Sequence, residues 1–218
     1  MKKFVVFLAI GLFLALPCAA NATLLGTGQL NVSWSTPTSG GSPNYYTDYD
    51  GTVVSSDFGY TTELEEIFCV SKDNANAVEI VDFYAITSDL DTIFDEEGLY
   101  KKLVQAAWIA DNWQSYGTSD EIKGEAQKAV WKVTDVVDRL GDDENGIDRV
   151  IYAAAVSEDL TNYCTTNWYF AHSPGGETTA DYQDYLTPAA PVPEPATMFL
   201  FGAGLVGLAG FSRKFRKK

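Results

Sequence analysis

The apolar and polar positions of this chain fall into blocks of different period. Gly26 to Trp34 alternates like a strand with one face in a core, and Leu64 to Ser71 and Ala77 to Ile86 are β-prone runs of the same kind. The period then changes. Between Glu96 and Trp113, Leu99, Leu103, Ala106, Ala107 and Ala110 recur at helical spacing. Between Ser119 and Leu140, Ile122, Ala126, Ala129, Val133 and Val137 do the same, with Ser119 as N-cap, Asp120 and Glu121 in the first turn and Gly141 as the stop. Asp148 to Leu160 supplies a further helical segment, and Thr165 to Phe170 returns to a strand pattern. Helices that follow one another between β-rich flanks indicate an α+β fold rather than alternating α/β. The expectation is a β-sandwich or antiparallel sheet with an inserted lobe of about three helices.

Two apolar runs stand outside this pattern. Residues 1–22 open with Lys2 and Lys3, continue with an apolar stretch and close on Ala20-Asn21-Ala22, the layout of a secretory signal peptide. At the other end, Pro193-Glu194-Pro195 precedes the apolar run 196–211 and a basic cluster from Arg213 to Lys218. That order resembles the PEP-CTERM sorting tail over residues 192–218. The resemblance implies recognition of Pro193, Glu194 and Pro195 by an exosortase-type membrane protease, then release to the outer surface or an exopolysaccharide matrix. A helix of this length reaches about 24 Å at ~1.5 Å per residue, a marginal transmembrane span for a hydrocarbon core of roughly 30 Å. The basic cluster would stay cytoplasmic, leaving the body outside the inner membrane as a transiently anchored protein delivered by the secretion machinery. Between the two ends lie an expected domain at 23–175 and a Gly, Pro, Thr and acid-rich linker at 176–191.

Charge separates the same regions. The chain has a formal net charge of −15, and its positive residues are concentrated at the ends, leaving the body at 8 basic and 29 acidic residues. Nucleic acid is excluded as a partner. The acidic stretch 142–148 is rich in oxygen ligands but lacks the spacing of a calcium loop, so a capped turn between helices is the expectation. The sequence contains no Ser-His-Asp arrangement, no metal-ligand cluster and no phosphate loop, so neither an enzyme nor a cofactor is expected. His172, the single histidine, is a possible base if folding brings it to the cysteine described next.

Only Cys69 and Cys164 remain once the leader is set aside. In an exported protein a disulfide between them is one reading. The other starts from Phe68-Cys69-Val70 in a strand and Gln127-Lys128-Ala129-Val130-Trp131 in a helix, where Gln127 and Trp131 share a face. This pair of motifs resembles the thioester domains of bacterial surface adhesins, over roughly Leu64 to Leu140. The resemblance implies an internal thioester between Cys69 and Gln127, walled by Phe68, Trp108 and Trp131. It further implies single-turnover attachment to a surface-protein amine or a polysaccharide hydroxyl. The alternative is a non-reactive structural or carbohydrate-binding matrix protein, with Tyr45, Tyr46, Tyr49, Phe58 and Tyr60 as candidate sugar contacts and Cys69 bonded to Cys164.

Overall fold

The computed structural model describes residues 24–35, 48–71, 78–136, 146–174 and 183–189. The expected strands form, and they close on themselves. β1 (Leu24–Ser35), β2 (Asp48–Ser56), β3 (Thr62–Cys69) and β4 (Val78–Ala85) precede the helices, while β5 (Trp168–His172) and β6 (Tyr185–Pro188) follow them. The order around the closed, all-antiparallel barrel is β1-β2-β3-β6-β5-β4. The expected antiparallel sheet is present, closed into a barrel in place of a sandwich. Its closing strand, β6, comes from the stretch expected to be linker: Phe68 and Cys69 of β3 pair with Leu186 and Tyr185, and β5 pairs with its other edge. Among the described residues each strand thus has two neighbours in the ring, though β3 and β6 pair only at Phe68 and Cys69.

Strand alternation decides what faces inward. On β4, Glu79, Val81 and Phe83 are buried while Val78 and Ile80 stand exposed on the outer surface. On β3 the pairing skips a residue: Ile67 lies opposite Tyr49, but Leu64 lies opposite Gly51. This bulge lets Leu64, Ile67 and Cys69 all join the barrel interior, with Leu30, Val32, Val53, Val81, Phe83, Ala171 and Tyr185. Phe68, facing the other way, packs with the helices and meets Trp168 edge-to-face at 6.2 Å. Tyr60, a candidate sugar contact, is buried among Phe58, Phe83 and Tyr169 and donates its hydroxyl hydrogen to the Pro188 carbonyl. It is a core residue, as desolvation of a large aromatic would favour. Tyr45 and Tyr46 lie outside the described residues. Because Phe83 is fully buried and touches three aromatic rings, Phe83→Ala should cost about 3–5 kcal/mol, read as a lowered denaturant midpoint at unchanged slope.

The helices are inserted between β4 and β5, as the change of period implies. They are α1 (Leu90–Ile93), α2 (Leu99–Asn112), a 3₁₀ turn (Trp113–Tyr116), α3 (Asp120–Val133) and α4 (Ile147–Ser157). Their apolar faces gather Leu103, Ala107, Ile109, Ala129, Val130 and Ile151 into a second core against the outer side of the sheet. Ser119 caps α3 as expected, accepting from the Ile122 N–H. The helix ends earlier than its apolar pattern. Asp135 takes a left-handed conformation (φ 61°), the Val136 N–H reaches the Trp131 carbonyl at 2.8 Å and the Asp135 N–H reaches that of Lys132 at 3.4 Å. This is a Schellman stop with aspartate in place of glycine, tied by an Asp135–Lys102 ion pair at 3.1 Å. Among the described residues no helix is long and apolar enough to cross a membrane. The leader, the 196–211 run and residues 141–145 of the acidic loop lie outside the described residues.

Candidate functional site

Lys123, Gln127 and Trp131 succeed one another at four-residue steps along α3, so they form one row, and all three are buried. The row faces β2 and β3. Lys123 reaches Asp50 at 3.6 Å, and Trp131 enters the barrel core. Between them the Gln127 carboxamide grips the backbone of Cys69: its Oε1 accepts from the Cys69 N–H at 3.0 Å, and its Nε2 donates to the Cys69 carbonyl at 2.8 Å. The amide thus completes the end of β3 as a neighbouring strand would. Strand and helix meet as the paired motifs imply, but the contact is to the main chain of Cys69 and not to its sulfur.

A different glutamine reaches the sulfur. Gln183 Nε2 donates to Cys69 Sγ, with the Gln183 side chain buried. It stands two residues before Tyr185, so both point into the barrel, and Tyr185 lies directly opposite Cys69 in the β3/β6 register. The Tyr185 hydroxyl sits 3.3 Å from Gln183 Oε1. Asp184, between them, anchors the segment. Its N–H donates to Ser71 Oγ at 2.8 Å, its carbonyl accepts from the Val70 N–H at 2.9 Å, and its Oδ1 accepts from the Ser173 N–H at 2.9 Å. These bonds fix the entry to β6 against the ends of β3 and β5, which is what holds the Gln183 amide at the thiol.

The remaining expected residues divide. Trp131 lies at the sulfur, whereas Trp108 is half-buried in the helical core. Phe68 covers the strand from the side opposite the thiol. His172 does not stand alone: Nδ1 is 3.0 Å from Asp184 Oδ1, and its ring packs edge-on against Phe94 at 4.8 Å. This pair borders a cleft of about 350 Å³ that also touches Val70 and Ser71, directly beside the thiol-bearing residue. Cys69 is a free thiol, so the disulfide with Cys164 is not formed. Cys164 lies at the surface, 3.2 Å from Thr166 Oγ1.

Burial pushes the Cys69 thiol up to about 12; the Trp131 side chain and the Ser71 backbone oppose the shift, and the Asp184 and Glu79 carboxyls add to it. At neutral pH the group is a thiol. Unfolding lets it ionise near its ordinary value, so the unfolded chain binds fewer protons above that value. Stability from this group is therefore complete below about pH 9 and falls as the pH rises toward 12. Tyr60 and Tyr163, also raised by burial, act in the same direction. In protein whose thiol is free, Cys69→Ala should flatten the alkaline fall in denaturant midpoint by the cysteine's share.

The tail of the chain supplies a family match. Residues 191–214 match the PEP-CTERM protein-sorting motif. The chain is thus an exported protein, processed at the membrane by an exosortase and destined for the cell surface. Comparison with curated proteins and with solved structures finds no match for the chain. The PEP-CTERM match covers the segment containing Pro193, Glu194 and Pro195 and does not extend to Cys69, Gln127 or Gln183.

Gln183 is the residue that sequence reasoning missed. It sits in Tyr182-Gln183-Asp184-Tyr185-Leu186, a short β-prone run hidden by the Gly, Pro and Thr around it. The available signal was that Gln183, Tyr185 and Thr187 alternate, as residues lining one face of a strand do.

Proposed function

We propose that the body of this exported protein carries an internal thioester at Cys69, and that Gln183 supplies the acyl group. The observation that carries the reading is the Gln183 carboxamide held at the buried sulfur. Gln127 has the positioning role: both polar atoms of its amide are engaged by the Cys69 backbone, which fixes the direction of the thiol. Attack of Sγ on the Gln183 carboxamide carbon forms a C–S bond and breaks the C–N bond. The thiol proton leaves with the amide nitrogen as ammonia. Such an exchange is slow in water and depends on near-attack geometry, which a strand and a pinned loop provide. The closed barrel and Trp131 exclude water from the product.

An acceptor amine or hydroxyl entering from the cleft beside Ser71 and Asp184 then attacks the acyl carbon. The C–S bond breaks, the acceptor's proton passes to sulfur, and the protein is left covalently attached through residue 183. The event happens once per molecule. Exosortase processing would present this body at the surface or in the exopolysaccharide matrix, where attachment is an adhesive or cross-linking function. Incubation with methylamine followed by peptide mapping tests the reading: the amine should appear on the peptide containing Gln183, with one thiol released at Cys69. Absence of any adduct under conditions that leave the protein folded would favour a non-reactive matrix protein, the role that complete burial of Cys69 also suits.

A further inference from the structure

β4 places a carboxyl where a strand of a barrel ordinarily places a hydrocarbon. Glu79 is 1% exposed and points inward in line with Val81 and Phe83, although its neighbours Val78 and Ile80 are apolar and lie outside. Burying a carboxyl in such a core is costly, and it is retained where it has a chemical or structural partner. Its partner here is part of the proposed reaction centre. The Tyr185 hydroxyl lies 3.4 Å from Glu79 Oε1 and 3.3 Å from Gln183 Oε1, so three side chains from β4, β6 and the entry to β6 meet in line. The line leads through the Gln183 amide to Cys69 Sγ.

We propose that Tyr185 is a catalytic hydrogen-bond donor to the Gln183 carbonyl oxygen, and that Glu79 is the positioning residue that keeps its hydroxyl aimed there. This rests on the thioester reading above. Attack by sulfur turns the carboxamide oxygen into an oxyanion, and a donor already in place stabilises the charge as it develops. A phenol has one hydrogen to give. In the arrangement proposed, the Glu79 carboxyl donates to the phenol oxygen and leaves the phenol hydrogen for Gln183. No proton is consumed: the thiol hydrogen departs with ammonia, and the Glu79 and Tyr185 hydrogens return when the tetrahedral intermediate collapses. Aminolysis of the thioester passes through an oxyanion at the same atom, so the same pair serves both halves of the chemistry.

The test follows the full chain made by cell-free synthesis and sampled over time by intact mass, for wild type and for Tyr185→Phe, Glu79→Gln and Glu79→Met. Tyr185→Phe should slow loss of ammonia on the order of 100-fold. Glu79→Gln, whose amide can still donate to the phenol, should keep most of the wild-type rate, whereas the similarly sized but non-donating Glu79→Met should lose about tenfold. Rescue by glutamine but not by methionine, at matched melting temperatures, is a result that a purely structural Glu79 would not give. If Tyr185→Phe does not fold, the two Glu79 variants decide. Wild-type rates in Tyr185→Phe, or equal rates in the Glu79 pair, would overturn the proposal while leaving the thioester standing. A wild type that never loses ammonia would overturn the thioester reading itself.

Discussion

Gln183→Ala should abolish ammonia loss and leave the Cys69 thiol free in every molecule, while Gln127→Ala should slow the reaction without removing it. The two glutamines touch the same residue in different ways. Gln183 offers its amide to the sulfur, so without it no acyl group is available at Sγ. Gln127 touches only the Cys69 N–H and carbonyl, and its removal leaves both reactants present but loosens the strand end that aims the thiol. Small misplacements of reacting groups cost about 100-fold in rate, which sets the expected size of the Gln127→Ala effect. That variant also orphans two buried backbone groups and should lose about 1–3 kcal/mol for each group that water cannot reach. Time-resolved intact mass and thiol counting on the two variants separate the roles: a permanent block in Gln127→Ala with normal reaction in Gln183→Ala would reverse the assignment.

A body ending at residue 175 should fail to fold, whereas one ending at residue 190 should fold fully. If 176–191 were a linker, the cut would be harmless. Instead, removing β6 leaves β3 and β5 with unpaired edges and exposes the barrel interior that Tyr185 and Thr187 fill at 0% exposure. Burial of an aromatic such as Tyr185 and an aliphatic such as Leu186 contributes about 2–3 kcal/mol each. The lost ladder bonds add to this, and domain stability is only about 5–15 kcal/mol in total. Near-ultraviolet circular dichroism and a cooperative melt distinguish the outcomes, and equal melts for the two bodies would contradict the closed barrel.

The helical lobe was legible because its signal is local. Leu99 through Ala110 and Ile122 through Val133 repeat with a period that only a helix satisfies, and Ser119 marks a start that the structure keeps. The end of α3 was not legible, since Val137 continues the apolar period while the stop depends on Asp135 adopting a conformation usually left to glycine. Closure of the barrel was less legible still. β6 is four residues long, and pairing with a strand more than a hundred residues earlier leaves no periodic trace in so short a segment. The inward turn of Glu79 was hidden for a related reason: Val78, Ile80 and Asp82 make as plausible an inner face as Glu79, Val81 and Phe83, and only the completed barrel selects between them. At the candidate site, the meeting of Cys69 with Gln127 was implied by the resemblance of the two motifs to thioester domains, but which atoms meet was not. Two amides converge on one cysteine, and the one at the sulfur comes from the closing strand that composition concealed.

Intact mass of the freshly made wild-type protein tests the central claim most directly. The thioester account predicts a mass lower than the sequence by one ammonia, regained on treatment with methylamine as the mass of the amine, with the deficit unaffected by Cys164→Ala and absent in Cys69→Ala and Gln183→Ala. A wild-type mass equal to that of the sequence, with a titratable thiol at Cys69 on unfolding, would contradict it.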